Sequence, residues 1–144
     1  MDRLFARLTI AAAALALVGA VGCSSSSSSA GGSDAGDISA TEKDFSIDLG
    51  SSTAPAGSVT FNVSNEGPST HEFVIIKTDT APDALPVKNG TVDEAGLNIV
   101  DENENIAPST TGTLQDNLDA GAYVIICNMP GHYEAGMHTA FTVG

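Results

Sequence analysis

AYVIICNMPGHYEAGMHTAFTV, residues 122–143, decides how this chain is read. Its ends, Ala122–Cys127 and His138–Val143, are short runs rich in β-branched and aromatic residues, which suit strands. Between them Pro130, Gly131 and Gly136 forbid a helix and call for tight turns. The segment therefore reads as strand, loop, strand. The same logic extends towards the N-terminus. Phe45, Ile47 and Leu49 alternate with Ser46 and Asp48, and Val59, Phe61 and Val63 alternate up to a turn at 65–68. Pro55 and Gly57 mark the turn between those two strands. HEFVIIK, residues 71–77, is almost continuously apolar and predicts a strand buried on both faces. Thr111–Leu118 predicts another, with a turn at 119–121. Residues 78–111 carry Pro82, Pro86, Pro108, Gly90 and Gly96 together with Asp93, Glu94, Asp101, Glu102 and Glu104. They are expected to be irregular and exposed, with at most one short helix near 91–97. Short strands divided by Gly/Pro turns at intervals of about ten residues predict an all-β fold, an antiparallel Greek-key sandwich.

The first 36 residues have a different character. Arg3 and Arg7 precede an apolar run from Leu8 to Val21, too short to span a bilayer comfortably. This is the pattern of a secretory signal peptide over 1–22. Ala20-Val21-Gly22-Cys23, followed by six serines, resembles a bacterial lipobox, in which Cys23 would become the lipid-modified first residue. Cleavage without lipidation is the alternative. Residues 23–36 form a Ser/Gly-rich tether, and 37–144 form the folded domain. The domain is thus expected outside the cytoplasm, held to the membrane through a lipid anchor.

Charge narrows the partners. The formal net charge is −13, and removal of 1–22 takes away Arg3, Arg7 and Asp2, leaving 3 Lys against 17 Asp and Glu, or −14. Such a surface repels nucleic acid and favours partners with a basic docking face. A solvated acidic face with no dedicated partner would carry the same composition.

Cysteine usage points to chemistry. Two cysteines in an exported chain suggest a disulfide, but Cys23 adjoins a tract that cannot pack and Cys127 ends an apolar strand. Cys127 is then a lone thiol in an oxidising compartment, which something should occupy. His132 and Met137 share its loop, and His71 opens a distant strand just after a turn. Two imidazoles, a thiolate and a weak axial thioether are the donor set of an electron-transfer copper site. Other readings fare worse. Structural zinc prefers four strong ligands and usually more than one cysteine. A thiol nucleophile would need an oxyanion hole, and no Gly-rich loop or strand-to-helix elbow supplies one. His138 follows Met137 on a strand and so points to the opposite face. Met129 stands too near Cys127 in sequence to be the axial group. Three histidines leave no second metal cluster for an oxidase.

With Cys127-x4-His132-x4-Met137 and the upstream His71, the chain resembles a cupredoxin, a type 1 blue-copper protein. It is most similar to the auracyanin, rusticyanin and sulfocyanin-like group, here in the form of a bacterial lipoprotein. The resemblance covers roughly 37–144, including G-x-V-x-F-x-V-x-N at 57–65 and His-Glu-Phe at 71–73. It implies a Greek-key sandwich holding one copper ion. His71 and His132 would bind through imidazole nitrogens, Cys127 through a short thiolate bond, and Met137 through a longer axial contact. It also implies an electron-entry patch around the His132 ring edge, lined by Met129, Pro130 and Tyr133. In relatives the residues after the first His and the Cys often bond to one another. Here these are Glu72 and Asn128, a carboxylate standing where Asn or Ser is commoner. The implied function is single-electron transport, without catalysis, between redox proteins such as a membrane complex, cytochrome, oxidase or reductase. A copper-handling protein that carries no current is the alternative.

Overall fold

The computed structural model describes residues 36–144. The signal peptide, the lipidation expected at Cys23 and the tether up to residue 35 lie outside them. Eleven strands make up the described chain: β1 Asp37–Lys43, β2 Ser46–Leu49, β3 Thr53–Ala54, β4 Gly57–Asn65, β5 His71–Lys77, β6 Val87–Lys88, β7 Thr91–Val92, β8 Asn98–Ile106, β9 Thr111–Leu118, β10 Gly121–Ile126 and β11 His138–Val143. One sheet has the order β2-β1-β4-β9, the other β3-β11-β10-β5-β8, and β6 pairs with β7 as a small ribbon. This is the Greek-key sandwich that the turn spacing implies. It departs from a purely antiparallel one, since β1 runs parallel to β4 and β3 parallel to β11. Among the described residues there is no helix long and apolar enough to cross a membrane.

Alternation places the core. Ile38 and Ala40 from β1, Val59, Phe61 and Val63 from β4, Phe73 and Ile75 from β5, and Tyr123 and Ile125 from β10 meet between the sheets. Phe61 packs edge-on against Phe141 at 5.1 Å and tilted against Phe73 at 5.5 Å, in the spacing aromatic pairs favour. The other face of β5 and β10 is covered as well. Val74, Ile76, Val124 and Ile126 form a second cluster with Leu85, Val92 and Tyr133, contributed by the 78–97 excursion and the loop after β10. That is why HEFVIIK is apolar without alternation.

Two strands depart from the sequence reading. β1 shows little apolar signal because its inward positions include Ala40 and Glu42. Residues 98–106 are expected to be irregular, yet they form β8, an edge strand paired with β5 through two register shifts, with Glu102 and Glu104 facing solvent. No helix forms near 91–97: Thr91–Val92 is a strand, followed by turn residues. Glu94 and Leu97 close that turn through the Leu97 N–H to Glu94 carbonyl bond of 3.0 Å.

The parallel run of β1 and β4 sends both chain reversals, 44–45 and 66–70, to one end of the sandwich. β5 starts at that end, β10 finishes there and β11 leaves from it. Everything the site requires is delivered to this end.

Candidate metal centre

His71 is the first residue of β5 and fully buried, and Cys127 follows β10 and is also fully buried. His132 comes back over them from the loop. Three atoms converge: His71 Nδ1 and His132 Nδ1 lie 3.3 Å apart, and Cys127 Sγ lies 3.7 Å from the first and 3.4 Å from the second. A first-row metal with bonds of about 2.0–2.3 Å to nitrogen and sulfur holds the donors of a trigonal set roughly 3.5–4.0 Å apart. The observed triangle matches that size to within a few tenths of an ångström. Its chemistry, one soft sulfur and two borderline nitrogens, suits copper. These residues fit one type 1 copper ion. Met137 is fully buried in the core cluster that holds Cys127.

The loop is built to keep these positions. The Cys127 N–H donates to the Met137 carbonyl at 3.0 Å, and the Met137 N–H to the His132 carbonyl at 3.1 Å. The His132 N–H donates to the Met129 carbonyl at 2.9 Å. Gly131 (φ 80°) and Gly136 (φ 118°) take backbone conformations that side chains rarely adopt, so the short returns on either side of His132 require glycine.

Electrostatics agree with a metal role. Burial first, and then the neighbouring His132, push the His71 imidazole below its ordinary range, so it is neutral and its lone pair is free. Burial pushes the Cys127 thiol up to about 11, although N–H groups of Met129 and Glu72 bond its sulfur. A nucleophilic thiol needs the opposite shift. A metal that displaces the proton overcomes this cost directly.

The surroundings answer the open question of a Glu72–Asn128 bond and correct the expected place of Tyr133. Asn128 does not bond Glu72. Its Oδ1 accepts the Val92 N–H at 2.6 Å, and its Nδ2 donates to Glu94 Oε1 at 2.6 Å and the Val92 carbonyl at 3.3 Å. With the Gly131 N–H on the Gly90 carbonyl at 2.7 Å, this ties the loop to the β6–β7 ribbon. Glu72 instead donates its backbone N–H to Cys127 Sγ at 3.4 Å. Its carboxylate gathers with those of Glu102 and Glu104, and burial, then Glu94, Glu102 and Glu104, push it up to about 7. Tyr133, expected in the exposed patch, is buried. Its hydroxyl donates to the Pro82 carbonyl at 2.7 Å and accepts the Leu85 N–H at 2.9 Å. Phe45, which the sequence reading placed on a half-buried strand, is half exposed and stands edge-on to the His132 ring at 5.6 Å. Around the partly exposed His132 lie the exposed Pro130 and partly buried Met129 of its own loop. His138 lies against the Tyr133 ring at 5.1 Å, away from the triangle.

Gly67 is a sensitive position. A Cβ there would stand 2.9 Å from His71 Nε2 and 2.7 Å from Asp44 Oδ1. Gly67→Ala is expected to displace the His71 ring, weaken copper binding and cost about 1–3 kcal/mol through overpacking. Copper competition titration and thermal unfolding of the variant measure both effects.

A cupredoxin-like domain model matches residues 12–140. Among solved structures, dithionite-reduced auracyanin from the photosynthetic bacterium Roseiflexus castenholzii is 24% identical, with a TM-score of 0.58 over 75% of this chain and 96% of its own. The copper protein rusticyanin is 21% identical, with a TM-score of 0.56 over 75% and 76%. Auracyanin A, a blue copper protein from Chloroflexus aurantiacus, is 21% identical, with a TM-score of 0.53 over 76% and 100%. At these identities the likeness is one of fold. No curated protein matches the chain.

Proposed function

The chain belongs to the cupredoxin-like family, and on that footing we propose that it is an exported carrier of single electrons between redox proteins. Bound copper would supply the Cu(II)/Cu(I) couple. His71, Cys127 and His132 would hold it, and Met137, buried in the same core cluster as Cys127, would supply a weaker fourth ligand. The observation that carries this reading is the triangle of one sulfur and two nitrogens, 3.3–3.7 Å on its edges, at one end of the sandwich.

Each residue has a part in keeping electron exchange fast. Buried His71 and the cross-bonded loop hold the donors in one arrangement, so little has to move when the charge changes. The Glu72 N–H on Cys127 Sγ draws electron density from the sulfur and tunes the couple. His132 is the ligand nearest solvent, and Phe45, Met129 and Pro130 give it an apolar rim on which a partner can dock closely. The acidic surface would steer the carrier toward a basic docking face. A lipid on Cys23 and the following tether would confine the search to a shell above the membrane and raise the effective concentration at its partners.

Voltammetry of the copper-loaded protein tests the role. An electron carrier gives a reversible one-electron wave over repeated cycles with the copper retained. Loss of copper to a chelator at each reduction would mark a copper-handling protein instead.

A further inference from the structure

His71 turns Nδ1 toward Cys127 and His132. For the neutral ring to offer a lone pair there, its proton must sit on Nε2. Nε2 is sealed from solvent and has no in-line hydrogen-bond acceptor among the described residues, but Asp44 Oδ1 lies 3.2 Å away, off the ring N–H axis. The carboxylate is held in place from elsewhere. Asp44 Oδ2 accepts the Ser69 hydroxyl at 2.7 Å, and Oδ1 accepts the Ser69 N–H at 3.4 Å. The Ser69 carbonyl accepts from Nδ2 of the buried Asn65 at 2.8 Å, and Asn65 Oδ1 accepts the Gly67 N–H at 2.9 Å. One frame, built from the β4–β5 turn, thus presents a carboxylate from the β1–β2 turn to the far nitrogen of a ligand ring. Gly67 leaves the room that the pair occupies. With 22% of its side chain exposed, Asp44 keeps enough water to remain a carboxylate beside the sealed imidazole.

We propose that Asp44 is the positioning residue of His71. Its carboxylate holds the Nε2–H side of the ring, so that Nδ1 is the lone-pair nitrogen and already faces Cys127 and His132 before a metal arrives. This rests on the reading of His71 as a copper ligand. A partner on the remote nitrogen fixes both tautomer and ring rotation, and a negative one makes the ligating nitrogen more basic. Neither effect can come from a residue that serves only to shape the turn.

The test uses the full chain as wild type, Asp44→Ala and Asp44→Asn. Nitrogen-15 NMR of the copper-free protein reads the His71 tautomer, and competition titration reads copper affinity. Wild type is expected to hold the Nε2–H tautomer. Asp44→Ala is expected to lose that preference, to bind copper roughly 10- to 100-fold more weakly, and to shift the reduction potential upward. Asp44→Asn, whose amide oxygen still accepts, should keep more of the tautomer preference and of the affinity. The proposal is overturned if Asp44→Ala retains the Nε2–H tautomer, whether or not affinity falls along with fold stability. Failure of the copper reading looks different: wild type would take up no copper, while the tautomer in the metal-free protein would still change on removal of the carboxylate.

Discussion

Cys127→Ser is expected to abolish the intense blue absorption of the copper-loaded protein while leaving the fold in place. The sulfur is one vertex of the triangle, 3.4 and 3.7 Å from the two ring nitrogens, and its bond to copper is the source of the colour in such a site. Serine is close in size, so the core around position 127 is not emptied. Its hydroxyl, however, is a hard donor that does not ionise at neutral pH, and copper loses both the soft ligand and the charge that matched it. Copper affinity should fall by orders of magnitude, and any residual binding by the histidines should be pale. Burying a hydroxyl in place of the thiol costs about 1–3 kcal/mol, which lowers the melting temperature without unfolding the sandwich. Visible absorption, circular dichroism and thermal unfolding, taken together, separate loss of site from loss of fold. A blue band that survives in this variant would remove Cys127 from the site.

Glu42→Leu is expected to stabilise the protein, and more so as pH rises. Alternation along β1 turns Ile38, Ala40 and Glu42 inward, so this carboxyl is fully buried, and neither oxygen meets a hydrogen-bond donor among the described residues. Burial, and then the charge of Glu72, push it up to about 8 from an ordinary value of 4.5. An acid whose pKa is raised by folding binds protons in the native state that the unfolded chain has already released. Stability must therefore fall with rising pH between about 4.5 and 8, and the penalty is complete above that window. A shift of this size corresponds to several kcal/mol, on the order of 3–5. Glu72, Glu102 and Asp116 are shifted in the same direction, chiefly by burial, and Asp44 in the other through its Ser69 bonds. The difference between variant and wild type isolates the contribution of Glu42. Denaturant unfolding at pH 5 and pH 8.5 should show a stability gain in the variant that is several kcal/mol larger at the higher pH. An equal gain at both would mean that Glu42 finds a partner that stabilises its charge.

Most of the donor set was legible because the loop compresses Cys127, His132 and Met137 into eleven residues around obligatory turns, and few chemistries use that set. His71 could be added from its place at the start of an apolar strand. The groups around the triangle were not legible. Asp44 and Ser69 come from two turns with no spacing relation to the ligands, and only the parallel pairing of β1 with β4 brings them together. β1 itself was hidden by Ala40 and Glu42 at inward positions, and the same Glu42 is a buried carboxyl with no hydrogen-bond donor among the described residues. Tyr133 reads as a surface aromatic beside a surface histidine. The 78–97 excursion, whose prolines suggest an idle loop, supplies the backbone groups that draw its hydroxyl inward. That excursion also takes Asn128, which family habit would have paired with Glu72. For Asp44, Tyr133 and Asn128 alike, the partner came from a segment whose position depends on topology.

X-ray absorption at the copper edge of the loaded protein addresses the claim that His71, Cys127 and His132 together hold one ion. The account expects one equivalent of copper with a single short sulfur bond and two imidazole nitrogens, in both oxidation states. A coordination shell of oxygen and nitrogen alone, or with one imidazole in place of two, would contradict it.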